Sequence, residues 1–231
     1  MRMKKLLLFL LIFCLLLPSA LAATTFAPKT ASEGKLLALD CLQYSSFGAE
    51  YNSTNNYLKR WEEEIRIYAY GSPTNSDLAT LDHFIMQLSF RCPFLPPIKR
   101  VNSESSANVT IYFGPLETLG NHINGYVKNN WGFFTYTYSN SGYNIYRGKI
   151  AIASDVTKQK QRNHLIMEEL VGVLGMANDH ELYSDSIVYA PWTETQQLSD
   201  IDWLMLNMLY HPSLSCGMTY KQARNILLNT F

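Results

Sequence analysis

The pattern of apolar and polar residues predicts strands and helices that follow one another along the chain. Residues 61–70 alternate between apolar and other side chains, which is the two-residue period of a β-strand. Residues 78–92 instead repeat apolar side chains at every third or fourth position, which predicts a helix. Further strands are predicted at residues 108–113, 131–138 and 143–154, with a hairpin turn at 139–142, and further helices at 162–175 and 199–210.

The N-terminus has the pattern of a cleavable secretory signal. A basic start is followed by an apolar run at residues 6–17, and Ala20 and Ala22 form a small-residue cleavage signature before Ala23. An apolar run of 12 residues is too short to span a bilayer, which needs about 20. The sequence therefore predicts a signal peptide at residues 1–22 and a secreted or periplasmic protein.

The rest of the chain is predicted to form one globular domain with short flanking segments. Residues 23–60 are expected to be an N-terminal leader and extension, loose up to Gly34 and with a short helix or strand at 35–41. The domain itself is expected at residues 61–220, before a C-terminal tail at 221–231. Removal of the signal leaves 16 lysine and arginine residues against 19 acidic residues, a formal charge of −3. This charge gives the domain no electrostatic reason to bind nucleic acid or anionic lipid.

Three cysteines remain after the predicted cleavage, because Cys14 leaves with the signal. Cys41, Cys92 and Cys216 are widely spaced and lie in a chain predicted to enter a compartment that permits disulfides. An odd number leaves at least one thiol free, so we expect one disulfide, involving Cys92. The wide spacing argues against a structural zinc site.

The helix at residues 162–175 carries the polar residues that bear on function. At about 100° per residue its wide face is apolar, whereas His164, Glu168, Glu169 and Gly172 share a narrow arc. Two adjacent carboxylates on a mostly buried helix must face water, a cleft or compensating partners. A solvated strip and a functional site both remain open on this pattern.

The motifs of this region resemble those of metzincin metalloproteases. Residues 168–179 are similar to the H-E-x-x-H-x-x-G-x-x-H helix and turn when aligned on Glu169 and Gly175. Residues 186–189 resemble the turn after that helix, and residues 198–210 resemble the closing helix. The resemblance implies an α+β fold of zincin-like architecture, with a mixed sheet packed on the central helix and a C-terminal helix.

A closer resemblance is to the bacterial domain-of-unknown-function family 2927, over residues 61–219. The motifs that carry it are E-E-L at 168–170, L-G-M-A-N-D at 174–179, D-S-I at 185–187, L-Y-H-P at 209–212 and G-M-T at 217–219. Each motif is short, but the ordered set identifies the chain as similar to this family.

The departures from the metzincin pattern imply a dismantled zinc site. Glu168, Gly172 and Asn178 stand at the positions of the three zinc-binding histidines, and Val188 stands at that of the turn methionine. A hydrolytic zinc site needs three donor side chains, and glycine has none. Glu169 alone keeps the position of the general base, and a base without a metal-polarised water has little to act on. We therefore expect no metal and no other cofactor.

Three interpretations follow for function. The first is a non-catalytic pseudo-protease that binds a peptide or protein partner in the cell envelope or outside the cell. The second is a metal-dependent hydrolase that uses Glu169 as its catalytic residue with ligands from His164, Glu168 and Asp179. The third is a structural protein whose cleft is filled by its own side chains. The residues predicted to form the binding cleft are His164, Glu168, Gly172, Asn178 and Asp179.

A dense aromatic stretch at residues 131–146 bears on the same question. It contains Phe133, Phe134, Tyr136, Tyr138 and Tyr143. Such residues either pack across a sheet as ordinary strand formers or provide a platform for a glycan or an extended peptide. In the implied fold this stretch precedes the edge of the cleft, so strand addition by a bound peptide is open.

Overall fold

The computed structural model of the protein describes residues 30–47 and 56–230. The predicted signal peptide at residues 1–22 lies outside the described residues and stays a prediction. The helices are α1 (Ala31–Phe47), α2 (Asn75–Arg91), α3 (Gln159–Val173), α4 (Asp200–Leu209) and α5 (Tyr220–Thr230). The strands are β1 (Arg60–Trp61), β2 (Ile65–Gly71), β3 (Ile98–Arg100), β4 (Val109–Gly114), β5 (Gly132–Tyr138) and β6 (Asn144–Ala153).

The strands form one mixed sheet in the order β3, β2, β4, β6 and β5, with β1 beside the start of β6. All pairs are parallel except β5 with β6, which form the predicted antiparallel hairpin. Ile67, Ile111 and Ile150 of the inner strands are almost fully buried, because α2 and α3 cover one face of the sheet. The prediction of an α+β fold, with a mixed sheet packed on a central helix, is confirmed.

The segments outside the predicted domain contribute to the same core. Helix α1 begins at Ala31, so the expected loose leader is wrong for residues 31–34, and α1 packs against α4. The predicted tail at 221–231 instead contains most of α5, whose Ala223 and Leu227 are buried. Lys35 Nζ on α1 donates to Leu228 O on α5 at 2.9 Å, which joins the two ends of the fold.

The expected disulfide is wrong. Cys41, Cys92 and Cys216 are all free thiols in the structure. Burial raises the pKa of Cys41 and Cys92 to about 12 and that of Cys216 to about 11, so all three thiols are protonated at neutral pH. Within residues 30–47 and 56–230, no helix is both long and apolar enough to cross a bilayer.

Candidate functional site

A cleft of about 950 Å³ runs along the outer side of β5. Strand β5 forms one rim, α3 and the turn after it form the floor, and residues 188–192 form the opposite rim. The sequence left open whether the polar arc of α3 is a solvated strip or part of a functional site. In the structure this arc faces the cleft.

A buried ion pair fixes the start of α3 against α2. Asp77 is fully buried, and its Oδ1 accepts hydrogen bonds from Arg162 Nε at 2.9 Å and Gln159 Nε2 at 2.7 Å. Burial opposes the charge of Asp77, but hydrogen bonds from Thr74, Arg162 and Gln159 outweigh it and hold the pKa of this carboxyl below its usual value. Arg162 also donates to Thr157 O at 2.7 Å. This network of hydrogen bonds fixes the position of α3 relative to α2, and α3 forms the floor of the cleft.

The opposite rim is tied to α4 by a second buried carboxylate. Asp202 caps the start of α4 and accepts a hydrogen bond from the Ile187 amide at 3.0 Å and from the Ser186 hydroxyl. The His180 amide donates to Val188 O at 3.0 Å, and the Ala190 amide donates to His180 O at 3.0 Å. These bonds hold residues 187–190 parallel to the segment around His180, on the far side of the cleft from β5.

Glu169 lies against the backbone of β5. A Cβ atom at Gly132 would overlap Glu169 Oε1 and would lie 2.8 Å from Leu165 Cδ2, so any larger residue there would require both side chains to move. The Glu169 side chain is buried in the floor of the cleft, with 7% of its residue surface exposed. Its neighbour Glu168 also lines the cleft but is half-buried.

The ring of Phe134 occupies the space beside Gly172. A Cβ atom at Gly172 would lie 2.6 Å from Phe134 Cζ, so any larger residue at this helix position would collide with the ring. Gly172 stands where the metzincin pattern has a zinc-binding histidine. The aromatic ring from β5 therefore occupies the space that the Cβ atom of a residue at this position would need.

His164 lies behind Glu168 and is held at both ring nitrogens. Nδ1–H donates to Thr195 O at 3.0 Å, and Nε2 lies 3.3 Å from Glu168 Oε2. Both neighbours are acceptors, so both contacts are satisfied only when the ring is doubly protonated. Burial disfavours that cation, but the hydrogen bond and charge of Glu168 and the carbonyl of Thr195 raise the pKa of His164 above its usual value.

Two tryptophans close the end of the cleft near the start of β5. The rings of Trp131 and Trp192 meet edge to face, with 5.5 Å between their centroids. Trp192 also contacts the ring of His164, with centroids 5.3 Å apart, and is 51% exposed. At the other end, Lys59 Nζ lies 5.2 Å from the centroid of the Tyr138 ring, and burial lowers the pKa of its ammonium group.

The structure brings three of the predicted cleft residues together with Glu169, the predicted catalytic residue. Glu168, Glu169, Gly172 and Asp179 all line the cleft. His164 is buried behind Glu168 and reaches the cleft only through it. Asn178 is the exception, because its side chain turns away from the cleft.

The backbone and amide of Asn178 anchor the turn after α3 to α1. Its amide Nδ2 donates to Tyr44 O at 3.0 Å, and its backbone N–H donates to Ser45 O at 3.1 Å. The prediction that Asn178 belongs to the cleft is therefore not supported by its position. Asn178 and Asp179 are adjacent in the turn, but the side chain of Asn178 contacts α1 and that of Asp179 lines the cleft.

Three contributors to the cleft carried no clear sequence signal. Lys59 and Trp192 lie far from the central helix in sequence and match no motif, so only the fold places them at its ends. Phe134 lay in the aromatic stretch noted above, but nothing in that stretch indicated that its ring packs on Gly172.

The residues of the cleft do not fit the zinc centre of metzincins. Among the described residues, no three histidine, cysteine, aspartate or glutamate side chains are clustered as a metal would require. The alternative ligand set of His164, Glu168 and Asp179 is not assembled either, because both ring nitrogens of His164 already face Thr195 O and Glu168. No catalytic step through a metal can be derived from these residues.

Comparisons with known proteins agree with the motifs read from the sequence. The model of a family described as protein of unknown function (DUF2927) matches residues 44–229. No curated protein matches the chain. Two solved structures of myroilysin are similar: one is 12% identical and covers 66% of this chain and 86% of its own, with a TM-score of 0.43. The other is 11% identical and covers 67% of this chain and 83% of its own, with the same TM-score of 0.43.

Proposed function

The chain belongs to the protein family DUF2927, and from the geometry of its cleft we propose that it is a non-catalytic protein that binds an extended peptide or protein segment along β5. The family assignment made from the sequence motifs is confirmed. The binding function is a proposal that rests on the features described next.

The observation that carries the proposal is the outer edge of β5. The Ala153 amide donates to Trp131 O at 2.7 Å, so the odd-numbered residues of this strand direct their backbone groups toward β6. Hydrogen bonding alternates along an antiparallel pair, so Gly132, Phe134 and Tyr136 direct theirs toward the cleft. In the described part of the chain no other strand pairs with this edge. Unpaired strand edges bind extended peptides by adding a strand to the sheet.

Two features support binding without catalysis. Glu169 has the position of a general base, but the Phe134 ring fills the space beside Gly172 where a metal ligand would be needed. The cleft itself is open along the length of β5 and is large enough for several residues of a peptide. Together these two features support a cleft that binds a peptide without cleaving it.

Hydrogen exchange on the purified protein tests this proposal. A pool of end-capped, random seven-residue peptides should slow amide exchange at Gly132, Phe134 and Tyr136 and should be recovered intact by mass spectrometry. Tyr136→Pro removes one edge N–H and should abolish the protection, whereas Tyr136→Ala keeps that N–H and should only weaken it. Equal binding by the proline and alanine variants would show that the ligand does not pair with β5.

The same samples test the hydrolase alternative. Elemental analysis should find no stoichiometric metal. Stoichiometric zinc, lost together with peptide cleavage on chelation, would overturn the non-catalytic proposal and favour a hydrolase that uses Glu169.

We also propose that the protein is exported and acts in the periplasm or outside the cell. The basic, apolar and small-residue pattern of residues 1–22 supports this proposal. Mass spectrometry of the exported form should find Ala23 at its N-terminus. A form that retains residues 1–22 would count against export by cleavage.

A further inference from the structure

We propose that the side of the sheet opposite to α2 and α3 binds an anionic polysaccharide. The site lies on the other face of the sheet from the cleft, so the inference goes beyond the proposed peptide binding and does not depend on it. We call this surface the basic face. The residues that define it are Arg66, Tyr68, Lys99, Thr110, Arg147 and Lys149.

The register of the sheet places these side chains beside one another. The buried isoleucines of β2, β4 and β6 face the helices, so the residues that alternate with them face the other way. Tyr68 pairs with Thr110, and Thr110 pairs with Lys149, which gives one row across three strands. Strands lie about 4.8 Å apart and two residues of a strand span about 6.6 Å, so the Cα atoms of Arg66, Arg147 and Lys149 lie within about 12 Å of one another.

This side of the sheet is covered only in part. Leu119 and Ile123 pack with Ala151 near the carboxyl end of β6, and residues 101–108 connect β3 to β4 past β2. Between them, among the residues that the structure describes, Arg147 stays exposed, and Thr110 and Lys149 stay half-buried. Parallel strands are normally covered on both faces, so the uncovered area over β4 and β6 indicates a surface for a partner.

Two cations of the basic face share one internal counter-ion. Lys99 Nζ lies 2.7 Å from Glu64 Oε1, and Arg66 Nη1 lies 3.5 Å from Glu64 Oε2. Lys99 and Arg66 are directly opposite one another on adjacent strands, where like charges repel, and Glu64 compensates that repulsion. A single carboxylate between two cations leaves this part of the face with a net positive charge.

The other two cations have no such counter-ion. Within residues 30–47 and 56–230, neither Arg147 nor Lys149 forms an ion pair. The remaining carboxylate on this side, Glu104, lies near Tyr70, where burial and this charge raise the pKa of the tyrosine. The basic face therefore has four cations against two carboxylates, and an external anion would relieve their repulsion. The formal charge of −3 for the mature chain does not reflect this local excess.

The lining favours a polysaccharide over other anionic partners. Tyr68 and Thr110 provide hydroxyl groups between the cations, and such groups both donate to and accept from the hydroxyls of sugars. Interfaces between proteins have an apolar core and are depleted in lysine, and binding to a membrane surface needs apolar side chains, whereas no residue that defines the basic face is aliphatic. Single-stranded nucleic acids stack their bases on several aromatic rings, and the basic face has only that of Tyr68.

Two labelled oligosaccharides test the inference on the purified protein by fluorescence anisotropy. Hexagalacturonate carries one carboxylate on each sugar, and its methyl ester carries none. The acid form should bind at least about tenfold more tightly, and added salt should reduce this advantage. Equal affinity for the two forms would overturn the inference. Tighter binding of a single-stranded oligothymidylate than of hexagalacturonate would overturn the choice of a polysaccharide.

A matched pair of double variants locates the site. Arg147→Gln combined with Lys149→Gln should weaken hexagalacturonate binding about tenfold, because it removes the two cations without a counter-ion. Lys158→Gln combined with Lys221→Gln removes the same charge from exposed positions outside the basic face and should change binding little. Equal effects of the two double variants would show that binding depends on net charge alone and would overturn the site.

A variant with the opposite expected sign completes the test. Glu64→Gln releases Lys99 and Arg66 from their internal counter-ion, so hexagalacturonate should bind about threefold more tightly, the size of one exposed charge pair. Glu181→Gln makes the same charge change at an exposed position away from the sheet and should have no effect. A substitution that only disturbed the fold would not tighten binding. Unchanged or weaker binding by Glu64→Gln would therefore contradict the inference.

Discussion

Helix α3 carries two polar sites about two turns apart, and they differ in how their charges are satisfied. At its start, Arg162 and Asp77 form a buried pair surrounded by hydrogen bonds from the protein itself. Further along, Glu168 and Glu169 lie side by side in the floor of a cleft, and Glu168 has 21% of its side chain exposed. The first site is closed off from solvent, whereas the second lines a cleft that is open to a ligand.

This difference predicts whether a substitution at each site changes stability, ligand binding or both. A buried network in which every polar group has a partner stabilises the folded protein, so its loss lowers the free energy of unfolding. A carboxylate at an open cleft also contributes to binding, so its loss is divided between stability and affinity. Four predictions, from the largest expected effect to the smallest, test whether the two sites differ in this way.

The largest effect is expected at the start of the helix. Asp77→Ala removes one partner of the buried pair and leaves the Arg162 charge unmatched, which should lower the free energy of unfolding by about 3–5 kcal/mol. Chemical denaturation measures this change. Asp82→Ala on the same helix is the control, because Asp82 pairs with Arg100 at the surface and should cost less than about 1 kcal/mol. Similar losses in both variants would contradict the special role of the buried pair.

The packing of Phe134 on Gly172 should produce the next largest effect. Gly172→Ala would ordinarily stabilise a helix, but its Cβ collides with the ring, so the free energy of unfolding should fall by about 1–3 kcal/mol. In a Phe134→Ala background the same change should be neutral or stabilising by up to about 1 kcal/mol. A double-mutant cycle by denaturation measures the coupling. Stabilisation by Gly172→Ala in the wild type would show that the ring does not fill this space.

The two adjacent glutamates should respond differently to neutralisation. Glu168→Gln weakens the contact with His164 and should lower the free energy of unfolding by about 1 kcal/mol. Glu169→Gln keeps the shape of the side chain and its ability to accept hydrogen bonds, and it removes a charge from a buried position, so stability should be nearly unaltered while peptide binding along β5 is weakened. Thermal unfolding and anisotropy of both variants decide. A strongly destabilised Glu169→Gln protein would assign that residue a structural role instead.

The smallest expected effect is a pH dependence that originates at His164. Its pKa is raised in the folded protein, so its stabilising contribution is complete below about 6.5 and is lost as the pH rises through the higher folded pKa. Burial lowers the pKa of His180 to about 4, so this residue acts in the opposite direction and destabilises the fold only below about 6.5. Denaturation at pH 6 to 9 should therefore show a decline in stability that His164→Gln abolishes. An unchanged decline in that variant would place its origin elsewhere.

Much of the local structure could be predicted from the sequence. The alternation within residues 61–70 and the helical repeat after Thr74 predicted β2 and α2, and the structure adds a capping box between Thr74 and Asp77. A similar capping pattern at Thr219 and Gln222 precedes α5, so the segment predicted to be a tail carried a helix signal. Strand β3 could not be predicted, because its three residues are a strand only through pairing with β2.

The sequence by itself determined that Gly172 carries no metal ligand and that two carboxylates share one arc of a buried helix, because helical periodicity depends only on local geometry. Only the tertiary structure decided that the Phe134 ring packs on Gly172, that Asn178 anchors α1 instead of lining the cleft, and that three thiols remain apart. Those outcomes depend on contacts between residues that are distant along the chain, whose partners are set by the register of the sheet and the packing of helices on it.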